Sequence, residues 1–198
     1  MPPMSPPARQ TQNLQTFELP AGFRGRSLFV VQLWWLVQAT FFHLSPQALY
    51  GFRRWLLRLF GAKVGSGVQL RPSVTVTYPW KVVIGDHSWI SDNVVLYSLG
   101  DIKIGRNAVI SQRSYLCAAT HDYRSPSFDI QARPVVVEDE AWIAADVFVA
   151  PGVTVGTGCV VGARSSVFSS LPPMTVCVGS PAVPIRSRLD LASPPGQD

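Results

Sequence analysis

From Val64 onward an aliphatic residue returns at every sixth position, and this register constrains the fold more than any other feature of the 198-residue chain. The first run is Val64, Leu70 and Val76. The frame slips by two to Ile84, Ile90 and Leu96, then by two again to Ile104, Ile110 and Leu116. After a fifteen-residue insertion it resumes at Val137, Ile143, Val149, Val155, Val161 and Val167. All fifteen positions are Val, Ile or Leu, where composition alone would give roughly four. Gly often follows the aliphatic residue (Gly65, Gly85, Gly105, Gly156, Gly162), and small or β-branched residues such as Ser88, Ala108, Ala141 and Val147 fill the fifth place.

A hexapeptide repeat predicts an all-β fold, a left-handed parallel β-helix with an N-terminal helical appendage. Each six-residue unit is a short strand plus a turn, and three units close a triangular coil of about eighteen residues. The aliphatic side chain points into the prism, and the small residue allows a tight corner. A sandwich of short strands predicts no fixed six-residue register. The chain divides into a flexible leader (1–26), an apolar and basic helical segment (27–63), the β-helix (64–183) with a candidate catalytic loop at 117–136, and a C-terminal tail (184–198).

Charged residues make up 15% of the chain, against roughly 25% in ordinary globular domains, so much surface is buried or faces a membrane. Residues 1–63 hold seven bases and one acid, while residues 64–198 hold ten bases and eleven acids. The positive surplus lies in the first third, without the basic patch and interleaved aromatics expected of a nucleic-acid binder. A peripheral contact with anionic membrane suits it better. Three cysteines (Cys117, Cys159, Cys177) without C-x-x-C spacing fit neither a disulfide framework nor a zinc site. Free thiols point to a cytoplasmic protein, peripheral at the inner face of the membrane.

The uncharged stretch from Leu28 to Leu44 lies at the lower edge of transmembrane length. It has three readings: a segment packed on the protein itself, a segment in the membrane interface, or a span. Residues 45–60 carry helix signals, with Ser45 as N-cap, Pro46 at the first helical position and Gly61 as the stop. Leu49, Phe52, Leu56 and Leu59 would line one face and Arg53, Arg54 and Arg58 the other.

Insertions carry chemistry more readily than a solenoid core. The long insertion contains His121, flanked by Asp122 and Tyr123. The helix ending RRWLLRLFGAKVG (53–65), VISQRSYLCAATHDY (109–123), AWIAADVFVAPGVTVG (141–156) and LPPMTVCVGSPA (171–182) together resemble the left-handed β-helix, hexapeptide-repeat acyltransferases. Within that family the chain looks most like the O-acetyltransferases of exopolysaccharide clusters of the colanic acid type, over about residues 45–188.

The resemblance implies acetyl transfer from acetyl-CoA to a sugar hydroxyl of an exopolysaccharide or lipid-linked glycan, in a homotrimer with sites between subunits and no metal. His121 matches the catalytic histidine, a general base for a poor alcohol nucleophile, worth about 10²–10⁴-fold. Cys117 could be imagined as a covalent nucleophile, but on a repeat strand it more readily packs. Ser98, Asp122 and Tyr123 are candidate acceptor contacts. Trp142 matches a tryptophan beside the acetyl and pantetheine end. Ala144, Ala145, Gly162 and Ala163 match small residues along the pantetheine arm, and Arg186 matches a base for the CoA phosphates. Ser169 and Val183 replace bases common in relatives, leaving Arg164 or Arg188 as substitutes, and Ser98 stands where Asn is expected. Asp122 and Asp101 are candidate partners for His121.

Other functions on this fold fit less well. A γ-carbonic-anhydrase site needs three metal-binding histidines, and only His43, His87 and His121 exist. An ice-binding helix needs rows of Thr-x-Thr, and only Thr75 and Thr77 occur. A non-catalytic β-helix scaffold is the alternative from a different class.

Overall fold

The computed structural model describes residues 11–190. All fifteen register positions are buried, with Val64 the most exposed of them. Five coils follow one another. The first is β1 (Lys63–Val64), β2 (Gln69–Leu70) and β3 (Thr75–Val76), and the second is β4 (Val82–Ile84), β5 (Trp89–Ile90) and β6 (Val95–Tyr97). The third is β7 (Ile102–Ile104), β8 (Val109–Ile110) and β9 (Tyr115–Cys117). A hairpin, β10 (Ala119–His121) and β11 (Ile130–Ala132), interrupts the winding. The fourth coil is β12 (Val135–Val137), β13 (Trp142–Ile143) and β14 (Phe148–Val149), and the fifth β15 (Thr154–Val155), β16 (Val160–Val161) and β17 (Ser166–Val167).

Like strands of successive coils pair in parallel, giving three faces of a prism: β1-β4-β7-β12-β15, β2-β5-β8-β13-β16 and β3-β6-β9-β14-β17. The post-aliphatic glycines are required by close stacking of the coils. A Cβ at Gly85 would lie 2.6 Å from the Arg106 backbone nitrogen, and one at Gly105 2.5 Å from that of Asp139. The frame slips after Val76 and Leu96 fall at the corner between the third and first faces, where the hairpin also leaves. Between the first three coils that corner carries two more residues than the other two, which makes it the wide one.

The C-terminal end does not trail off as a tail from 184. β18 (Thr175–Gly179) joins the second face beside β16, and β19 (Ala182–Ser187) folds back antiparallel on β18. Residues 1–10 and 191–198 of the expected leader and tail lie outside the described residues. Residues 11–26 are mostly exposed but tied to the solenoid: the Trp80 indole donates to Arg24 O at 2.6 Å, and Lys81 Nζ donates to Phe23 O at 2.7 Å.

The N-terminal end is closed by α1 (Leu28–Val37), a wider π turn over Gln38–Phe42, and α2 (Tyr50–Leu59). Ser27, the N-cap of α1, accepts from Val30 N, and Gly61 ends α2 in the left-handed region at φ +94°. Val31, Trp34, Gln38 and Phe42 face the protein. The expected start of the second helix at Ser45 and Pro46 is corrected to Tyr50. Ser45 Oγ donates to Phe42 O and accepts from Arg53, so it is not free to cap.

The arginines do lie opposite Leu49 and Leu59, but on the side that faces the solenoid. Arg53 is fully buried, and α2 turns its guanidinium into the end of the solenoid. It donates to Leu70 O at 2.7 Å, to Ser45 Oγ, and to Pro46 O and Gln47 O. Burial pushes it below its usual pKa, Tyr50 opposes this, and Arg71 adds to it. Arg54 donates to Val68 O, and Arg58 to Val64 O and Gly65 O.

Arg53→Met would leave Leu70 O and neighbouring carbonyls without a donor, each buried orphan costing about 1–3 kcal/mol. Urea unfolding of this variant is expected to show a loss of about 3 kcal/mol, with Arg53→Lys recovering less than half. A loss below about 1 kcal/mol would mean that water replaces the cap.

Candidate active site

The hairpin after Cys117 places His121 at the wide corner. Its register pairs Ala119 with Ala132, Thr120 with Gln131 and His121 with Ile130. Beyond His121 the turn is built by short polar side chains, as the S-P-S-F-D sequence favours. Asp122 N donates to Asp129 O at 2.8 Å, and the Asp122 carboxylate accepts from Arg124 N at 2.9 Å and Gln131 Nε2 at 3.4 Å. Ser127 and Ser125 donate to Asp129 at 2.7 and 2.8 Å, which holds that carboxyl below its usual range.

This turn puts Phe128 in the left-handed region at φ +54° and directs its carbonyl at the histidine. His121 Nδ1 lies 2.7 Å from Phe128 O. A carbonyl only accepts, so in the neutral ring Nδ1 carries the proton and Nε2 the lone pair. The imidazole also stacks on the Phe128 ring, centroids 4.3 Å apart and 9° from parallel. Phe17 stands 5.9 Å away on a tilted plane, and Asn13 N donates to Pro126 O at 2.7 Å. The leader therefore reaches the histidine.

Phe128 and Phe17 were missed in the sequence. The carbonyl partner leaves no side-chain signal, although the turn cluster around it does. Neither Asp122 nor Asp101 bonds to His121: Asp122 organises the turn. Tyr123 is exposed beneath the Arg124 guanidinium, 5.6 Å from its ring centroid. Ser98 is corrected as an acceptor contact. Fully buried, it accepts from Tyr78 N at 2.8 Å and donates to Tyr78 O at 3.0 Å, tying two coils together.

Cys117 is half-buried and donates to Ala119 O at 3.1 Å, and burial pushes its thiol up. Burial, with Cys117 and then Tyr97, pushes the Tyr115 phenol up to about 12. Neither ionises readily near neutrality.

The second face carries the other candidates. Trp142 pairs with Val160, Val160 with Val176, and Val176 with Arg186, so these four share one outward column. Three ladder spacings separate its ends, roughly 14 Å. The Trp142 indole donates to Ser111 Oγ at 3.0 Å, leaving the ring half exposed. Arg186 is exposed and has no partner among the described residues, whereas Arg188 is held by Glu140 O and Gly158 O. Arg164 projects into solvent, 4.0 Å from Asp146. Ser169 and Val183 are exposed without charge.

Ala145 and Ala163 lie one coil apart at the next corner, where Arg164 N donates to Ala145 O. Ala144 and Gly162 are spent on the ladder: Ala144 N bonds Val161 O, Ala144 O accepts from Ser114, and Gly162 N bonds Cys177 O. A Cβ at Gly162 would meet Val178 Cγ1 at 2.7 Å. His121 and the Trp142 column thus occupy different parts of the prism and do not meet within one chain. Among the described residues, no three His, Cys, Asp or Glu side chains are gathered to hold a metal ion.

No protein-family model matches the chain. It is 59% identical over 179 residues to the protein assigned as the colanic acid biosynthesis acetyltransferase WcaF of Escherichia coli K12, covering 90% of this chain and 98% of that one. It is 34% identical to the acetyltransferase C18B11.09c assigned in Schizosaccharomyces pombe, over 73% of this chain and 72% of the other. The crystal structure of a hexapeptide-repeat acetyltransferase from Vibrio cholerae O1 biovar eltor, complexed with acetyl coenzyme A, superposes with a TM-score of 0.73 at 28% identity, covering 80% of this chain and 87% of that chain. Identity of 59% along nearly the whole of one such relative, on a parallel β-helix wound from six-residue units, makes this chain a member of the hexapeptide-repeat acetyltransferases.

Proposed function

We propose that the chain transfers acetyl from acetyl-CoA to a sugar hydroxyl of an exopolysaccharide or its lipid-linked precursor, in the cytoplasm, directly and with His121 as general base. The observation that carries this is the 2.7 Å contact between His121 Nδ1 and Phe128 O, which leaves Nε2 as the proton acceptor. Acetyl-CoA supplies an activated acyl group as its thioester. Nε2 takes the proton as the hydroxyl oxygen bonds to the acetyl carbon, and returns it to the sulfur as the carbon–sulfur bond breaks. A covalent route through Cys117 is disfavoured by its raised thiol pKa and its bond to Ala119 O.

The outward column from Trp142 to Arg186 fits the cofactor. An apolar wall at one end and an exposed guanidinium at the other match a thioester arm ending in phosphates. Because that column and His121 do not meet within one chain, a complete site needs the corner of one copy against the second face of another. A homotrimer about an axis parallel to the solenoid supplies this. A non-catalytic scaffold would require neither a tautomer-fixed histidine nor an exposed Arg186 in this column.

In a thiol-release assay with sugar acceptors, His121→Ala is expected to lower kcat at least 100-fold while calorimetry shows unchanged acetyl-CoA binding. Near-normal turnover would remove His121 from the reaction. Arg186→Ala is expected to weaken acetyl-CoA binding about tenfold, the scale of one charge-assisted contact, with kcat nearly unchanged. Equal affinity in the two proteins would move phosphate recognition to Arg164.

A further inference from the structure

The helices that close the N-terminal end of the solenoid leave their outer side uncovered, and the side chains there are large and apolar. Phe29 is 75% exposed and Leu44 79%, and Leu36, Phe41, Trp55 and Leu59 are each more than half exposed. Two apolar grooves run between the helices. One, of about 300 Å³, is lined by Phe41, Leu44, Pro46, Leu49 and Phe52; the other, of about 440 Å³, by Val30, Leu33, Leu59 and Phe60, with Arg26 at its edge. Scattered exposed hydrophobic residues need no explanation, but a continuous apolar end face does.

Charge identifies its occupant. Between Glu18 and Asp86 the sequence contains no acidic residue and eight bases. Arg26 and Lys63 are exposed. Arg58 is exposed as well and bonds only to neutral oxygens. A second copy docking end to end would set these cations against their equivalents. No helix among the described residues is long and apolar enough to cross a membrane. Aromatic and aliphatic side chains flanked by the exposed Arg26, Arg58 and Lys63 match instead an anionic lipid surface, with the helix pair lying in the interface.

We infer that this end face is a peripheral docking surface for an anionic bilayer. The inference extends beyond acetyl transfer and stands without it. The His121 hairpin leaves the third coil, two ladder spacings above the first, or roughly 10 Å along the axis. An acceptor held in the same bilayer by a lipid would therefore present its sugars near that corner.

The test is flotation of the full chain with vesicles of phosphatidylcholine alone and vesicles that also contain phosphatidylglycerol. The expected result is binding to the second kind, at least tenfold weaker for Phe29→Gln/Leu36→Gln and about fivefold weaker for each of Arg26→Gln and Lys63→Gln. All these residues are exposed, so the variants should keep the wild-type circular dichroism. Absence of wild-type binding, or equal binding to both vesicles, overturns the inference. So does a lipid-free wild type that sediments as a larger species than the Phe29→Gln/Leu36→Gln variant, since the face would then be a contact between copies.

Discussion

A parallel β-helix leaves half the backbone of its first coil facing outward with no coil to pair with, and the architecture of the N-terminal third follows from that constraint. Gln69 and Arg71 direct their N–H groups at the second coil, so Leu70 between them directs its polar groups the other way. The same alternation exposes Val64, Val68, Val74 and Val76. Each receives a side chain: Arg58 at Val64 O, Arg54 at Val68 O, Arg53 at Leu70 O and the His43 ring at Val74 O. At Val76 both groups are matched, the carbonyl by the Trp34 indole and the N–H by Gln38. The row of carbonyls calls for donors without acceptors, which explains why arginine, carrying five N–H groups and no lone pair to repel them, dominates the cap.

That cap also reveals how amphipathic patterning can mislead. Along α2 the three arginines look like a solvent face because charge is normally hydrated. Here the end of the solenoid hydrates them with carbonyl oxygens, and the leucines at 49 and 59 are left outside. The helix start shifts for the same reason. Ser45 and the carbonyls at 46 and 47 serve Arg53, so a good local cap sequence yields to a tertiary demand.

The solenoid itself was legible because its period is a direct record of which side chain faces the core, and no competing interaction acts on an inward Val or Ile. The insertion and its histidine were legible for the complementary reason, as a break in that record. What stayed hidden depends on backbone atoms. The partner of His121 is a carbonyl set by a turn, and the ladder role of Ser98 is a pair of bonds to another residue's main chain. Ser98 resembled a substrate contact by position, yet its burial follows from standing where two coils meet at the wide corner. Residues 11–26 have no period to announce structure, and the contacts that hold them are made by Trp80, Lys81 and Pro126 at the corner they lie against.

That corner holds the histidine in one arrangement. Nδ1 is committed to Phe128 O, the ring is stacked on Phe128, and Phe17 of the leader stands beside it. An imidazole restrained in this way has already lost the tautomeric and rotational freedom that a surface histidine would lose on reaching a productive geometry. The restraint comes from the turn, whose hydrogen bonds are made by Asp122, Ser125, Ser127 and Asp129, and not from a carboxylate on the ring. A neutral carbonyl fixes the tautomer without stabilising an imidazolium as an ionised acid would. In the transfer proposed above, a base held by a neutral carbonyl suits a nitrogen that accepts a proton and then gives it away.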